Sequence, residues 1–266
     1  MNPASELTQK ITNFIKDLAA ATDAAARSDE MRAFLSACAR FHRYSLNNQI
    51  LIMMQRPDAT QVAGYNRWKD LNRFVRKGEH GIAILAPCTY TKGEGEDAKT
   101  QVFFKITHVF DVSQTDGEPL PEPPNWKSPA HLAELDARLI EFARDKGITV
   151  TVEAQTDGSQ GYSDGGAIVL DPSAGTKTLI HEIAHELLHH GDDRKQFSRQ
   201  EKEIEAEAVA YTVASYFDLP QLACPNYLAT FGATAEDITA HMQRIRRTAQ
   251  EIINAIEPQE EGQYHE

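Results

Sequence analysis

The pattern of apolar and polar positions predicts helices followed by strands in the N-terminal part of the chain. One helix lies near the start, and a second helical stretch runs over about residues 29–41. A third, short helix begins after Ser45 as its N-cap and must end before Pro57. Residues 81–87 and 101–112 then have the composition of strands, separated by a polar loop. These elements predict an α+β module.

The C-terminal half repeats this mixture of helices and strands. A helix over residues 129–146 is stopped by Gly147 and is followed by a strand at residues 148–152. A second strand covers residues 165–171. Three more helices are predicted, at about residues 175–190, 199–217 and 235–256. The fold class that we expect for the whole chain is therefore α+β.

A proline-rich segment separates the two halves. Residues 116–130 hold five prolines and can continue neither a helix nor a central strand, so we interpret them as a linker. The predicted domains are then residues 1–115 and residues 131–256. Residues 257–266 are acidic and poor in apolar side chains, which predicts a frayed tail.

Composition predicts a soluble, cytoplasmic protein that does not enter a membrane. The chain has 266 residues, enough for two ordinary domains, and no apolar run approaches the roughly 18 residues that a membrane span needs. The residues after Met1 are polar and acidic, unlike a secretory signal. The three cysteines are isolated, which fits reduced thiols and gives no Cys-x-x-Cys metal pair.

Charge is distributed unevenly along the chain. The formal net charge is -12, which by itself argues against a nucleic-acid partner. Between Arg40 and Gly81, however, eight Lys or Arg stand against three Asp or Glu, a local net charge of +5. One part of the molecule can therefore meet an anion while the other part repels it.

The segment TLIHEIAHELLHH, residues 178–190, carries the strongest chemical signal. Its apolar residues predict a buried helix, and His181 and His185 lie four residues apart on one side of it. Both imidazoles can therefore reach one zinc ion. Glu182 follows the first histidine, where its carboxylate can take a proton from water and later pass it to a leaving amine. His-Glu-x-x-His also occurs by chance, and only its surroundings favour a zinc site.

A catalytic zinc site needs a third protein ligand. A third histidine six residues after His185 would fall on Gly191, which excludes that arrangement. The following helix is rich in glutamate and places Glu203 and Glu207 one turn apart on one face. A glutamate-rich helix is also typical of a face that only contacts solvent. We assign Glu203 to the metal and expect Glu207 to orient a histidine through its far ring nitrogen. Glu205 is the main rival for the ligand role.

Two neighbouring features complete the predicted site. The strand at residues 167–170 is flanked by glycine and precedes the histidine helix, and hydrolases of this kind hold an extended peptide against a sheet edge. We expect this strand to provide that edge. His189 and His190 are interpreted as structural or solvent-facing residues rather than as ligands.

The sequence HEIAHELLHH followed by EKEIEAEAVAY resembles the ImmA/IrrE group of zincin-like, thermolysin-like metallopeptidases, which hold zinc with HExxH and a downstream glutamate. Residues 45–85 and 109–115 are similar to the N-terminal domain of ArdC-type antirestriction proteins. In that family a single-stranded-DNA-binding domain precedes a zincin domain. The resemblance implies the same arrangement here, with zinc as cofactor. The positions that match the zinc motif are His181, Glu182, His185 and Glu203.

The N-terminal segment also has the composition of a DNA-binding surface. It interleaves aromatic rings with positive charge, as in platforms where bases stack on rings and Lys and Arg follow the phosphates. Trp68 and Phe74 have an equally simple interpretation as core residues. The candidate DNA-binding residues, supported by the resemblance, are Arg43, Tyr44, Tyr65, Arg67, Trp68, Arg73, Arg76 and Lys77.

These observations predict a zinc-dependent metallopeptidase coupled to a single-stranded-DNA-binding module, of an antirestriction or mobile-element regulatory type. The expected partners are single-stranded DNA and a protein or peptide substrate. One alternative is a non-catalytic DNA-binding or antirestriction factor with a structural metal, although such a scaffold needs no base at Glu182. Another alternative is a repressor-cleaving regulator whose N-terminal module binds protein.

Overall fold

The computed structural model describes residues 3–20, 24–92, 99–120, 129–191, 197–219 and 234–257. Most of the predicted linker and of the predicted acidic tail therefore lies outside the described residues. In chain order the elements are α1 (Pro3–Ala20), α2 (Ala24–Arg40), α3 (Leu46–Gln55), β1 (Val62–Gly64), α4 (Tyr65–Asp70), β2 (Arg73–Val75), β3 (Ile82–Lys92), β4 (Lys99–Asp111), β5 (Thr115–Gly117), α5 (Pro129–Asp145), β6 (Thr149–Val152), β7 (Gly161–Ser163), β8 (Ala167–Leu170), α6 (Thr176–Leu188), α7 (Arg199–Tyr216) and α8 (Ala235–Ile256). The predicted α+β class is confirmed.

The chain forms two compact units. The first comprises Met1–Ala21 and Arg43–Glu122, and the second comprises Thr22–His42 and Pro123–Glu266. Helix α2, which the proline-based boundary assigns to the N-terminal domain, thus packs within the second unit. In the described part of the chain, no helix combines the length and apolar character needed to cross a membrane.

In the first unit, a long antiparallel ribbon of β3 and β4 is extended by β1 on the far side of β4. Helix α3 lies along the outer edge of β3 and covers it with two side-chain amides. Asn48 exchanges two hydrogen bonds with the backbone of Leu85, and Gln55 does the same with Ala83. Because Asn48 and Gln55 are seven residues apart, they lie on the same side of α3. The edge of β3 is therefore paired by side chains at these two positions.

The second unit surrounds a three-stranded sheet of order β6-β8-β7 with helices. Strand β6 is parallel to β8 and β7 is antiparallel to it. Helix α7 is the central helix, packed against α2, α6 and α8. From Ile204 to Ala214 it is buried at every position except Glu207, and its four alanines in that stretch permit close helix contacts. Because α7 packs against α6, glutamates of α7 lie beside the histidines of α6.

Candidate metal centre

Helices α6 and α7 bring three potential metal ligands together. The Nε2 atoms of His181 and His185, one turn apart on α6, are 3.0 Å from each other. Oε2 of Glu203 on α7 lies 3.5 Å from Nε2 of His181 and 3.6 Å from Nε2 of His185. These three residues form the group suited to hold a metal ion among the described residues.

The spacing and the donor types of the three atoms fit a divalent metal ion such as zinc. Ligand atoms at 2.0–2.1 Å from a tetrahedral zinc ion lie about 3.3 Å apart, and the observed separations of 3.0, 3.5 and 3.6 Å bracket that value. Two imidazoles and one carboxylate leave one tetrahedral position open. Glu203 is half-exposed, so solvent reaches the group from its side.

The electrostatics of this group couple metal binding to proton release. Burial lowers the pKa of His181, but its contacts with Glu203 and Glu207 outweigh burial and raise that pKa to about 9. Hydrogen bonds to His181, and to a smaller extent to His185, lower the pKa of Glu203. A cation that binds between these atoms at neutral pH must therefore displace a proton from His181.

Glu182 lies beside the ligand group in a dry position. Its side chain is buried, and burial raises its pKa against the opposing effect of His181 and His185. A carboxylate with a raised pKa is a stronger base than an exposed one. It also interacts with the hydroxyl of Ser163 on β7, so the position of the base is tied to the neighbouring strand.

Glu207 contacts the far nitrogen of a ligand histidine. Its Oε2 is 3.3 Å from Nδ1 of His181, and its other oxygen forms an ion pair with Lys177 at the start of α6. A carboxylate at Nδ1 favours the tautomer in which Nε2 is free to coordinate. Lys177 is a contact that no sequence pattern indicated.

Glu205, the rival ligand, points into the core instead. It is fully buried, its Oε2 is 2.9 Å from Nε2 of His189, and its Oε1 is 2.7 Å from Nδ1 of His241 and 3.1 Å from Nε of Arg244. Burial raises its pKa, but these hydrogen bonds together lower the pKa to about 2. Glu205 is therefore an anion whose oxygens are occupied, and it lies away from the ligand group.

The sheet edge beside the histidine helix belongs to β7, not to β8. We expected residues 167–170 to form this edge, but β8 is the central strand, with β6 and β7 bonded to its two sides. The edge prediction is therefore wrong. Glu186 of α6 accepts hydrogen bonds from the amides of Gly165 and Gly166, which anchors the turn between β7 and β8 to the histidine helix.

Some of the candidate DNA-binding residues are buried or form hydrogen bonds within the first unit, and the others are exposed. Trp68 is 2% exposed and its indole N–H donates to the carbonyl of Phe110, so this ring belongs to the core and offers no stacking face. Arg73 donates to the backbone carbonyls of Thr115 and Glu118, and Arg76 bonds Glu79 and the carbonyl of Ser113. These three residues hold the first unit together.

The remaining candidates lie closer to solvent, as does Phe74, which was not one of the candidates. Tyr65 and Phe74 are 47% and 56% exposed, and Lys69 lies over the Tyr65 ring. Tyr44 is half-buried and its hydroxyl donates to the carbonyl of Val62. The exposed basic candidates are Arg43, Arg67 and Lys77. Sequence reasoning left Phe74 out of the site because an aromatic ring in a short strand has no signal that distinguishes core from surface.

Two family models match successive parts of the chain. Residues 1–110 match the N-terminal domain of anti-restriction factor ArdC, and residues 146–253 match the IrrE N-terminal-like domain of peptidase family M78. The chain therefore carries an ArdC-type N-terminal domain followed by an IrrE-like peptidase-family domain, as the sequence resemblance predicted.

The individual relatives have low sequence identity to this chain. An uncharacterized protein of Bacillus anthracis is 25% identical over 289 residues, which cover 86% of this chain and 48% of that protein. The chain thus spans about half the length of this relative. Crystal structures of antirestriction protein ArdC from plasmid R388 are 18% identical in the metal-free form and 17% in the Mn(II)-bound form, with TM-scores of 0.46 and 0.43. The alignment with the metal-free structure covers 79% of this chain and 81% of the ArdC chain. The alignment with the Mn(II)-bound structure covers 80% of this chain and 89% of the ArdC chain.

Proposed function

We propose that this chain is a zinc-dependent peptidase joined to a unit that binds single-stranded DNA, acting in antirestriction or in the regulation of a mobile element. The observation that carries the peptidase part is the convergence of His181, His185 and Glu203 at 3.0–3.6 Å beside the buried Glu182. This arrangement combines a ligand set with a base, and a purely structural site needs only the ligands.

The chain's own residues perform the proton transfers of the proposed reaction. His181, His185 and Glu203 would hold the zinc ion, which would supply Lewis acidity toward a water molecule and a peptide carbonyl. Glu182 takes the proton from the attacking water and delivers it to the nitrogen of the leaving amine. Burial raises the pKa of Glu182, which strengthens it as a base in the first step and lets it hold the proton for the second.

The free edge of β7 supports an extended peptide as substrate. In the sheet order β6-β8-β7 one side of β7 has no neighbouring strand among the described residues. An extended peptide can add to such an edge through main-chain hydrogen bonds. Because Ser163 of β7 contacts Glu182, a peptide bound along this edge passes next to the base.

The test of the peptidase proposal is Glu182→Gln, which keeps the shape of the side chain but removes the proton acceptor. We expect zinc content and fold to persist while cleavage of a random-sequence peptide library, read by mass spectrometry, slows by about 100- to 10,000-fold. Glu141→Gln, at an exposed position of α5, is the matched control and should cleave at the wild-type rate.

Two outcomes would overturn this proposal. Undiminished cleavage by Glu182→Gln would remove the base from the mechanism. A wild-type protein that binds zinc but cleaves no member of the library would replace the peptidase with the non-catalytic alternative.

Exposed rings beside positive charge support the DNA-binding part of the proposal. Tyr65 on α4 and Phe74 on β2 each expose about half of their side chain, and α4 packs against β2. Arg67 and Lys77 are exposed in the same stretch of chain. Rings of this kind stack on bases of any sequence, while basic side chains follow the phosphates.

The DNA proposal predicts a loss of affinity when an exposed ring is removed. Phe74→Ala in the full chain should weaken binding of a single-stranded oligonucleotide by about 5- to 150-fold, the effect of losing one stacked base. Tyr162→Ala removes a ring of similar exposure from the second unit and should leave binding unchanged. Fluorescence anisotropy at low and high salt measures both. Wild-type protein that binds no oligonucleotide at low salt would favour the alternative in which this unit binds protein.

A further inference from the structure

A chain of buried contacts leads from one ligand histidine through the core to helix α8. Nδ1 of His185 is 3.3 Å from Nδ1 of His189, and Nε2 of His189 is 2.9 Å from Oε2 of Glu205. His189 is 5% exposed and Glu205 is fully buried. We propose that His189 and Glu205 are positioning residues that fix the tautomer of His185, an inference that rests on the proposed metal site.

The hydrogen bonds along this chain can be satisfied in only one direction. The carboxylate of Glu205 also accepts a hydrogen bond from the guanidinium of Arg244, so it acts as an acceptor and Nε2 of His189 donates to it. A neutral imidazole carries one ring proton, so when Nε2 of His189 donates, its Nδ1 has no proton and must accept. The donor that meets it is Nδ1–H of His185. With the proton on Nδ1, the Nε2 atom of His185 presents its lone pair to the metal.

The two ligand histidines thus have different partners at their far ring nitrogens. Nδ1 of His181 faces the carboxylate of Glu207 directly, whereas Nδ1 of His185 reaches its carboxylate through the imidazole of His189. Fixing the far nitrogen of a ligand histidine orients the ring and raises its basicity, and loss of such a partner typically costs 10- to 100-fold in metal affinity. His189 therefore does for His185 what Glu207 does for His181.

Helix α8 fixes the far end of this chain. Nδ1 of His241 and Nε of Arg244 hold Oε1 of Glu205, and Arg244 also donates to the carbonyl of Leu188 at the end of α6. Arg244 additionally lies over the ring of Phe197. The carboxylate that orients His189 therefore cannot rotate away without breaking contacts to two helices. Helix α8 contributes to the metal centre although it supplies no ligand.

The first experiment reads the tautomers directly. Long-range ¹H–¹⁵N correlation spectra of the wild-type full chain, metal-free and zinc-loaded, assign the protonated nitrogen of each histidine ring. We expect the proton of His185 on Nδ1 and the proton of His189 on Nε2 in both states. A proton on Nε2 of His185 or on Nδ1 of His189 would overturn the proposal. The metal-free spectrum decides this even if the protein binds no zinc, an outcome that would refute the proposed function alone.

The second experiment measures zinc affinity by competition with a chelator. His189→Phe keeps a ring but removes both hydrogen bonds, and we expect a 10- to 100-fold weaker affinity. His189→Gln supplies one acceptor and one donor and should restore most of the affinity. The control is His190→Phe, at the adjacent exposed histidine, which should bind zinc like the wild type.

Wild-type zinc affinity in a folded His189→Phe variant would exclude a positioning role for His189. If His189→Phe does not fold, His189→Gln takes its place in the spectra, since its folded form must still show His185 protonated on Nδ1. A proton on Nε2 of His185 in the folded Gln variant would contradict the proposal.

Discussion

Two glutamates on α7 that are only two residues apart have different surroundings. Consecutive helical positions differ by about 100° in direction, so Glu203 and Glu205 point about 200° apart. Glu203 faces the histidines of α6 and is half-exposed, whereas Glu205 faces α8 and is fully buried. The first is a ligand candidate and the second is a buried anion that needs its partners.

This difference predicts different effects of two similar substitutions on the metal-free protein. Glu203→Ala should abolish tight zinc binding and leave the unfolding free energy of the metal-free protein nearly unchanged. Glu205→Ala leaves Arg244 and two histidines without their anion and should destabilise the metal-free protein by about 3–5 kcal/mol. Urea unfolding in the presence of a chelator measures the stability, and zinc content measures the ligand role.

The Glu205 effect should also depend on pH. Its pKa in the folded protein, about 2, lies below the ordinary value of 4.5, so its contribution is complete above about pH 4.5 and disappears as the pH falls toward 2. The gap between Glu205→Ala and the wild type should narrow over that range. A gap that stays constant, or a larger loss of stability in Glu203→Ala, would contradict the assignment of the two residues.

At this scale the sequence indicated those residues whose role follows from local spacing. His181 and His185 are one helical turn apart, and Glu203 lies on the next helix, so their approach follows from two helices packing together. The contacts of Glu205 could not be predicted, because His241 and Arg244 belong to a helix more than thirty residues further along the chain. Trp68 shows the same limit, since an aromatic residue in a basic segment suits a core and a stacking surface equally well.

Among the elements, helix α3 serves as a side-chain substitute for a neighbouring strand. Asn48 and Gln55 each satisfy one N–H and one carbonyl on the outer edge of β3. The two sites differ in their surroundings, because the bonds of Asn48 are buried and those of Gln55 are exposed. They form a natural pair for comparing the same contact in a dry and in a wet environment.

We therefore expect Asn48→Ala and Gln55→Ala to differ in cost. Asn48→Ala leaves the buried N–H and carbonyl of Leu85 unpaired, at about 1–3 kcal/mol for each group. At Gln55→Ala water replaces the lost amide, and the cost should stay below about 1 kcal/mol. Equilibrium urea unfolding of the full chain measures both. Equal losses would mean that burial does not separate the two contacts.

The sequence predicted the longer elements and missed the shortest strands. Helices α1, α3 and α5 to α8 and strands β3 and β4 have enough residues for a period of 3.6 or 2 to be recognised. Strands β1, β2, β5 and β7 have three residues each, too few for an alternation to be recognised. The missing β7 also explains the wrong edge, because without β7 the strand at residues 167–170 is left with an open side.

On the scale of the whole molecule, a helix near the start of the chain stabilises the unit near its end. Helix α2 packs against α7 and α8, and Phe34 and Leu35 in α2 are fully buried. The match to the ArdC N-terminal domain includes α2, although its contacts lie in the unit that holds the candidate metal centre. The boundaries of the matched segment and those of the compact unit therefore differ at this helix.

Substitutions in α1 and α2 should consequently affect different units. Phe34→Ala removes a fully buried ring and should destabilise the second unit by about 3–5 kcal/mol, which speeds amide exchange in α7 by about 100-fold or more. Leu18→Ala, in α1 and equally buried, should speed exchange in β3 and β4 of the first unit instead. Hydrogen exchange followed by peptide mass spectrometry separates the two. Faster exchange in the ribbon but not in α7 after Phe34→Ala would assign α2 to the first unit.

The position of α2 also sets an order of events during synthesis on the ribosome. Helix α2 ends at Arg40 and its partner α7 begins at Arg199, so roughly 160 residues must be translated between them, which takes about 10–30 s at usual rates. The first unit is complete in sequence by Glu122 and can fold during this interval. The apolar side chains of α2 have no α7 to pack against until α7 has been translated. A ribosome that stalls before residue 199 would hold a chain without Glu203, so the proposed metal centre can form only after α7 has been translated.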